Sequence, residues 1–310
     1  MKNKVLKKFL ALMIMIISTF IFIGCSNKDM STAKEENGKV KAVASFYAME
    51  ELTKAIGGDK VEIHTIIPDG VEPHDFEPKA KDLTTLENAD LLVLNGAGME
   101  SWSDNVLNII NNKKLKVVDT SKGVDIIKIS EESNSKEEEH HHGLDPHIWL
   151  SPSMAKIQSK NIKDALVEID SSNKDYYEKN YENFSKELDK ISEEYKDKFA
   201  TVKNKNFITG HETFGYLCRE FGLNQYAVEG VFAEGEPSPK KLKELTDLCK
   251  EKNINTVFVE SLVSPAISET LAKEINGKTE KIYTIHSKED NLNYIDAMKY
   301  NLNAIYSNLK

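Results

Sequence analysis

Cysteine is scarce in this chain, with only Cys25, Cys218 and Cys249 among its 310 residues. So few cysteines exclude a disulfide framework, and the lack of a CxxC pair argues against zinc held by thiolates. Cys218 and Cys249 lie in segments with helical patterns, so a single bridge between them stays open. We favour the simpler interpretation that both are small buried apolar side chains.

An excess of basic charge is also absent, since 50 acidic residues outnumber 41 basic ones and give a formal net charge of −9. Binding of phosphate groups needs a basic patch, so nucleic acid is excluded as a partner, whereas a cation is not repelled. Catalytic motifs are missing as well. No GxSxG nucleophile elbow is present, and His211-Glu212 begins like HExxH but has Gly215 in place of the second histidine. We therefore expect that the protein is not an enzyme.

Residues 1–24 are not expected to belong to the fold. Lysines precede an apolar run at residues 9–23, which is shorter than the ~20 residues of a membrane-spanning helix and suits a secretory signal peptide. Gly24-Cys25 at its end resembles the lipobox of bacterial lipoproteins, in which the cysteine is acylated. We expect a signal peptide at 1–24, a flexible tether at 25–39, and a lipid anchor on Cys25 at the outer face of the cell membrane. An uncleaved N-terminal anchor is the alternative.

From Val40 onward, short apolar runs alternate with segments of helical periodicity. This alternation predicts an α/β fold with mostly parallel sheets and helices on both faces. One helical segment, 174–200, is long enough to run about 40 Å at ~1.5 Å per residue. Its apolar and aromatic side chains recur along one face, at Tyr177, Tyr181, Phe184, Leu188, Ile191, Tyr195 and Phe199. We therefore predict two α/β lobes, 40–170 and 204–310, joined by one long rigid helix at 171–203, with a ligand in the cleft between the lobes.

Four of the eight histidines have informative surroundings. His74, His211 and His286 each follow a predicted strand, and His147 precedes a predicted helix. Open α/β sheets bind ligands at the carboxyl ends of their strands, so these positions suit a site. Each half of the chain supplies two of the four. His64, by contrast, lies inside a predicted strand and is expected to be half-buried or on the surface.

A metal ion clamped between the lobes is the hypothesis that these histidines favour. Neutral imidazole suits Zn²⁺, and four protein ligands complete a tetrahedron that leaves no position for a catalytic water. Such a site would bind a metal rather than catalyse a reaction. Spacing alone leaves open the alternative that each histidine is a helix cap, a core residue or a surface residue.

Three motifs together resemble the zinc- and manganese-binding (ZnuA/TroA-type) substrate-binding lipoproteins of bacterial ABC importers. They are GVEPHDFEP around His74, DPHIWLSP around His147, and GHETFGYL around His211 followed by EGEPSP. The resemblance covers residues 40–310. It implies two α/β lobes joined by a rigid helix, and it implies that these three histidines are metal ligands.

The fourth ligand of that family is commonly an acidic residue after the last strand of the second lobe. The corresponding segment here is IYTIHSKEDN. His286 is our first choice for the fourth ligand, with Glu289 and Asp290 as the acidic alternatives.

The resemblance also bears on the metal. Manganese members tend to carry a carboxylate at the position of His211, and oxygen ligands suit the harder Mn²⁺, so we expect Zn²⁺ as the transported ligand. The run His140, His141 and His142 lies where zinc members often have a longer histidine-rich loop. It suggests auxiliary, weak metal collection, and a solvated loop without a role is the alternative.

The partners that the resemblance implies are an ABC permease and its cytoplasmic ATPase. We expect a monomer whose linking helix permits only small lobe movements. Two alternatives stay open: a manganese-binding protein of the same family and a metal-dependent adhesin.

Overall fold

The computed structural model describes residues 38–129, 143–232, 237–261 and 264–310. Within it, Lys39–Lys310 form one compact unit. The predicted signal peptide, Cys25 and residues 140–142 lie outside the described residues. In the described ranges, no helix is long and apolar enough to cross a membrane.

The first lobe is built around one parallel sheet. Its elements are β1 (Val40–Ala44), α1 (Tyr47–Gly57), β2 (Val61–Thr65), α2 (Ala80–Glu87), β3 (Leu91–Leu94), α3 (Ser103–Ile109), β4 (Lys116–Asp119) and α4 (Pro152–Ile169). The strand order is β2-β1-β3-β4, and every neighbouring pair is parallel. All four residues of β3 are buried, as expected for a central strand covered by helices on both faces.

The second lobe repeats this topology. Its elements are β5 (Asn206–His211), α6 (Gly215–Phe221), β6 (Asn224–Glu229), α7 (Pro239–Lys252), β7 (Thr256–Val259), α8 (Pro265–Glu274), β8 (Lys278–Lys281) and α9 (Tyr294–Leu309). The order β6-β5-β7-β8 is again fully parallel. The prediction of two parallel α/β lobes is therefore confirmed.

One long helix, α5, stands between α4 and β5 and spans Lys174–Ala200. Its fully buried aromatic and aliphatic positions follow the predicted face: Tyr177, Leu188, Ile191, Tyr195 and Phe199. A continuous apolar core extends from the first sheet past this helix to Phe207 and Phe258 of the second. A smaller cluster that includes Leu245 and Val257 packs on the other side of the second sheet.

A carboxylate ties three elements together where the lobes meet the long helix. Glu220 of α6 accepts hydrogen bonds from the hydroxyls of Ser153 (2.8 Å) and Ser192 (2.5 Å), and also from that of Ser151. Ser151 is the N-cap of α4, and Ser192 lies on α5. One side chain of the second lobe therefore binds both the first lobe and the linking helix.

The strand that was predicted to end directly before His286 ends earlier, because β8 covers Lys278–Lys281. Beyond β8, the N–H of Ile282 donates one last backbone hydrogen bond to the carbonyl oxygen of Val259. At Tyr283 the side chain of Asn301 takes over, since its Oδ1 accepts the N–H at 2.9 Å and its Nδ2 donates to the C=O at 2.6 Å. Ile285 adopts a φ of 56°, which ends the extended run. His286 therefore lies on a loop beyond the strand rather than directly after it.

The two cysteines of the fold are free and buried. Burial raises the pKa of the Cys249 thiol to about 11 and that of Cys218 further still. The interpretation of both as buried apolar side chains is confirmed.

Candidate metal centre

Three of the predicted ligands converge between the lobes. His74 and His147 lie on loops of the first lobe, and His211 is the last residue of β5. One ring nitrogen from each lies within 4.8 Å of the other two, and all three residues are buried. Nε2 of His74 is 3.3 Å from Nε2 of His147. Two nitrogens on one tetrahedral Zn²⁺, at ~2.0–2.1 Å each, stand roughly 3.3 Å apart, so this spacing fits a shared ion.

Asp145 orients the ring of His147. Its Oδ1 lies 2.9 Å from Nδ1 of His147 and also accepts the backbone N–H of His147 at 2.9 Å. Because a carboxylate only accepts, Nδ1 carries the proton and Nε2 presents its lone pair to the site. A Cβ on Gly215 would stand 2.7 Å from Oδ2 of Asp145, so glycine at the start of α6 leaves the room that this carboxylate needs.

His211 is oriented by a backbone carbonyl. Its Nε2 lies 2.6 Å from the oxygen of Val231, which can only accept, so Nε2 carries the proton and Nδ1 keeps its lone pair. The backbone N–H groups of Gly210 and His211 donate to Oε2 and Oε1 of Glu260, at 3.1 and 3.2 Å. Glu260 is 2 % exposed. Both the ring and the main chain of His211 are therefore fixed.

His74 lies on the loop between β2 and α2, and its ring packs edge-on against Phe232 with centroids 5.4 Å apart. Oε1 of the half-buried Glu72 is 3.9 Å from Nε2 of His74, and burial raises the pKa of this carboxyl group. Sequence reasoning did not single out either neighbour. Glu72 stands inside the GVEPHDFEP motif and could have been found there, whereas Phe232 comes from a distant loop and had no local signal.

His286 is buried beside the cluster but is not one of the three residues whose ligand atoms meet within 4.8 Å. Its Nδ1 lies 2.5 Å from the hydroxyl oxygen of Thr284. Glu289 and Asp290 both pair with Lys281, at 3.2 and 2.7 Å, so each carboxylate already faces an ammonium group. His286 as the fourth ligand stays a prediction.

Burial sets the protonation of two of the imidazoles, those of His211 and His286. It lowers the pKa of His211 well below its ordinary range, and the neighbouring His147 lowers it further. Burial, again followed by His147, lowers the pKa of His286 to about 3. Because of these low pKa values, the rings of His211 and His286 are neutral at neutral pH. Neutral imidazole is the form that binds a metal.

His64 contributes nothing to this cluster. His64 is exposed on β2, where it stands opposite Val43 in the register, in line with the prediction of a surface residue. Residues 140–142 lie outside the described part of the chain, so their role in metal collection stays a prediction.

The protein has two parallel α/β lobes of identical strand order, joined by one long helix, with a buried histidine cluster between the lobes. This arrangement is that of a two-lobed substrate-binding protein. The family model described as zinc-uptake complex component A, periplasmic (ZnuA), matches residues 42–308. The chain belongs to this family.

Relatives and solved structures agree with this assignment. A putative metal-binding protein of Treponema pallidum is 38% identical over 273 residues, 86% of each chain. The high-affinity zinc uptake system protein ZnuA of Bacillus subtilis is 37% identical over 313 residues, 98% of each chain. The laminin-binding protein Lmb of Streptococcus agalactiae, described as bifunctional with adhesin and metal transporting activity, superposes with a TM-score of 0.79 at 33% identity. That match covers 87% of this chain and 100% of the other.

Proposed function

We propose that this protein binds Zn²⁺ outside the cytoplasm with high affinity and delivers it to an ABC-type metal importer. The observation that carries the proposal is the convergence of three buried imidazoles, drawn from both lobes, within 4.8 Å. Family membership supports it, as does the Bacillus subtilis relative named for high-affinity zinc uptake. A filled set of protein ligands suits binding rather than catalysis.

The hydrogen bonds around the site support one choice of ligand atoms. His147 binds through Nε2 and His211 through Nδ1, because their other nitrogens are held by oxygen acceptors. His74 binds through Nε2, the atom that faces Nε2 of His147 at 3.3 Å. His286 completes the set. A nitrogen-rich set favours Zn²⁺ over Mn²⁺, which prefers oxygen ligands.

Delivery needs parts beyond the site. In this proposal a lipid on Cys25 holds the monomeric protein at the outer face of the cell membrane, where a permease and its cytoplasmic ATPase receive the metal. The lobes, 40–170 and 204–310, move little against each other because the linking helix and the shared core hold them. Small loop movements then suffice to load and unload the ion.

A metal titration of the full chain tests this function. We expect one tightly bound Zn²⁺ per chain by mass spectrometry, with Zn²⁺ displacing Mn²⁺ in competition, and a rise in melting temperature on binding. His74→Ala should remove most of that rise, whereas His64→Ala, an exposed histidine of the same lobe, should leave it intact. The proposed function would be refuted if the chain took up no transition metal. It would also be refuted if His64→Ala removed the rise in melting temperature and His74→Ala left it intact.

Adhesion is a second candidate, favoured by the match to the Streptococcus agalactiae protein. Laminin binding by the full chain that persists in His74→Ala would show an adhesive surface separate from the metal centre. No binding to laminin-coated surfaces would leave zinc delivery as the one function.

A further inference from the structure

Each lobe contains one buried glutamate that accepts two consecutive backbone N–H groups where a central strand ends. In the second lobe, Glu260 binds the N–H groups of Gly210 and His211. In the first lobe, Oε1 and Oε2 of Glu100 accept the N–H groups of Asn95 and Gly96, at 2.7 and 3.0 Å. Glu260 is 2 % exposed and Glu100 is 5 % exposed.

The second-lobe carboxylate continues where one strand ladder ends. β5 pairs with β7 at Ile208 and Thr209, and Gly210 and His211 follow directly beyond these two paired residues. Glu260 follows β7 directly and supplies both oxygens. A buried N–H needs an acceptor, so these two bonds hold the main chain that carries His211.

The first-lobe carboxylate acts one step further from the metal. With its backbone held by Glu100, Asn95 donates from Nδ2 to the carbonyl oxygen of Pro146 at 2.8 Å. Gln158 in turn donates to Oδ1 of Asn95 at 2.9 Å. Pro146 directly precedes His147, so this buried network fixes the turn that presents the His147 ring.

We propose that Glu260 and Glu100 are positioning residues of the metal centre, Glu260 for His211 and Glu100, through Asn95, for His147. Neither carboxylate is a ligand. Each holds the main chain of a ligand so that the imidazoles of the two lobes are preorganised at the spacing of one ion. This proposal rests on the proposed function, because it assumes that the histidine cluster binds zinc.

The test compares three matched Glu→Gln variants of the full chain. Loss of a group that orients a ligand typically costs 10–100-fold in metal affinity. We expect Glu260→Gln to weaken Zn²⁺ binding by roughly that factor and Glu100→Gln by less, measured by competition with a chelator. Glu260→Ala, which removes both acceptors, should lose more than Glu260→Gln, which keeps one.

Glu51→Gln is the control. Glu51 is a buried carboxylate that also accepts a backbone N–H, from Tyr294 at 3.2 Å, but it pairs with Lys54 on α1. The Glu51→Gln variant should therefore have a lower melting temperature and an unchanged zinc affinity.

A second readout separates positioning from stability. The visible absorption of bound Co²⁺ reports ligand geometry, and it should change in Glu260→Gln but not in Glu51→Gln. A folded Glu260→Gln protein with unaltered zinc affinity and Co²⁺ spectrum would overturn the proposal, and so would equal affinity losses in Glu260→Gln and Glu51→Gln. Should Glu260→Gln not fold, unaltered affinity in Glu100→Gln would overturn it instead. An unsubstituted chain that binds no zinc would instead refute the proposed function.

Discussion

The two lobes share one strand order but hold the histidines of the cluster differently. His211 ends a strand, stands opposite Glu229 in the ladder, and has its main chain bound by Glu260. His147 lies on a loop, and its position depends on the side chains of Asp145 and Asn95. The same topology can therefore place a histidine of the cluster through strand pairing in one lobe and through a side-chain network in the other.

The lobes also differ in their cores, and this difference leads to the largest expected effect. Phe207 belongs to the core that continues into the first lobe, whereas Leu245 belongs to the cluster confined to the second. We expect Phe207→Ala to lower the free energy of unfolding by about 3–5 kcal/mol and Leu245→Ala by about 2–5 kcal/mol. Both variants should still melt in one transition by calorimetry. Two separate transitions in Leu245→Ala would show that the lobes fold independently.

Removing one ligand from each lobe tests whether the two share the metal equally. If binding of Zn²⁺ supplies ~10–16 kcal/mol over four ligands, each ligand contributes roughly 3 kcal/mol, about a hundredfold in affinity. His147→Ala and His211→Ala should therefore weaken binding by similar factors in isothermal titration. A loss confined to one of them would mean that a single lobe holds the ion.

The buried glutamates should make the metal-free protein less stable as the pH rises. Burial raises the pKa of Glu100 from an ordinary 4.5 to about 7 and that of Glu260 to about 8. Between pH 4.5 and 7 the unfolded chain loses the Glu100 proton while the folded chain keeps it, so unfolding becomes easier. The stabilising contribution is complete below 4.5 and lost above 7, on the order of 3 kcal/mol.

Glu100→Gln should flatten this dependence, as measured by urea unfolding between pH 4.5 and 7.5 in a chelator. An unchanged pH profile in that variant would mean that Glu100 keeps an ordinary pKa.

The smallest effect is expected at the surface between the lobes. Arg219 of α6 binds the carboxylate and the carbonyl of Asp125 at 3.1 and 2.7 Å, but Asp125 is 92 % exposed. Solvent screens such pairs, so Arg219→Ala should cost under ~1 kcal/mol and leave zinc affinity unaltered. A large loss of zinc affinity would make this contact part of the closure mechanism.

Much of the fold and part of the site could be predicted from the sequence. Alternating apolar runs and helical periods gave the two sheets, and the spacing from Tyr177 to Phe199 gave the long helix, because both patterns follow local geometry. His74, His147 and His211 could be chosen because loops after parallel strands gather at one edge. The strand order that the two sheets share could not be predicted, because many apolar sequences satisfy the same packing rules.

The supporting residues could not be found this way, because their partners are distant in sequence. In the sequence, Glu260 looks like any residue at the end of a strand, and its role depends on β5 lying beside it. The positive φ of Ile285 could not be predicted either, because β-branched residues rarely adopt it. The run Ile282-Tyr283-Thr284-Ile285 has the sequence pattern of a strand, and all four residues are buried. Burial alone does not make a strand, because these residues lie beyond the end of β8 at Lys281.

Gly215 also separates this site from the HExxH sequence that begins at His211. A histidine at position 215 would complete that sequence, but its Cβ would stand 2.7 Å from Oδ2 of Asp145, the carboxylate that holds the His147 ring. Asp145 would then have to shift, so gaining the hydrolase sequence would disturb the histidine cluster.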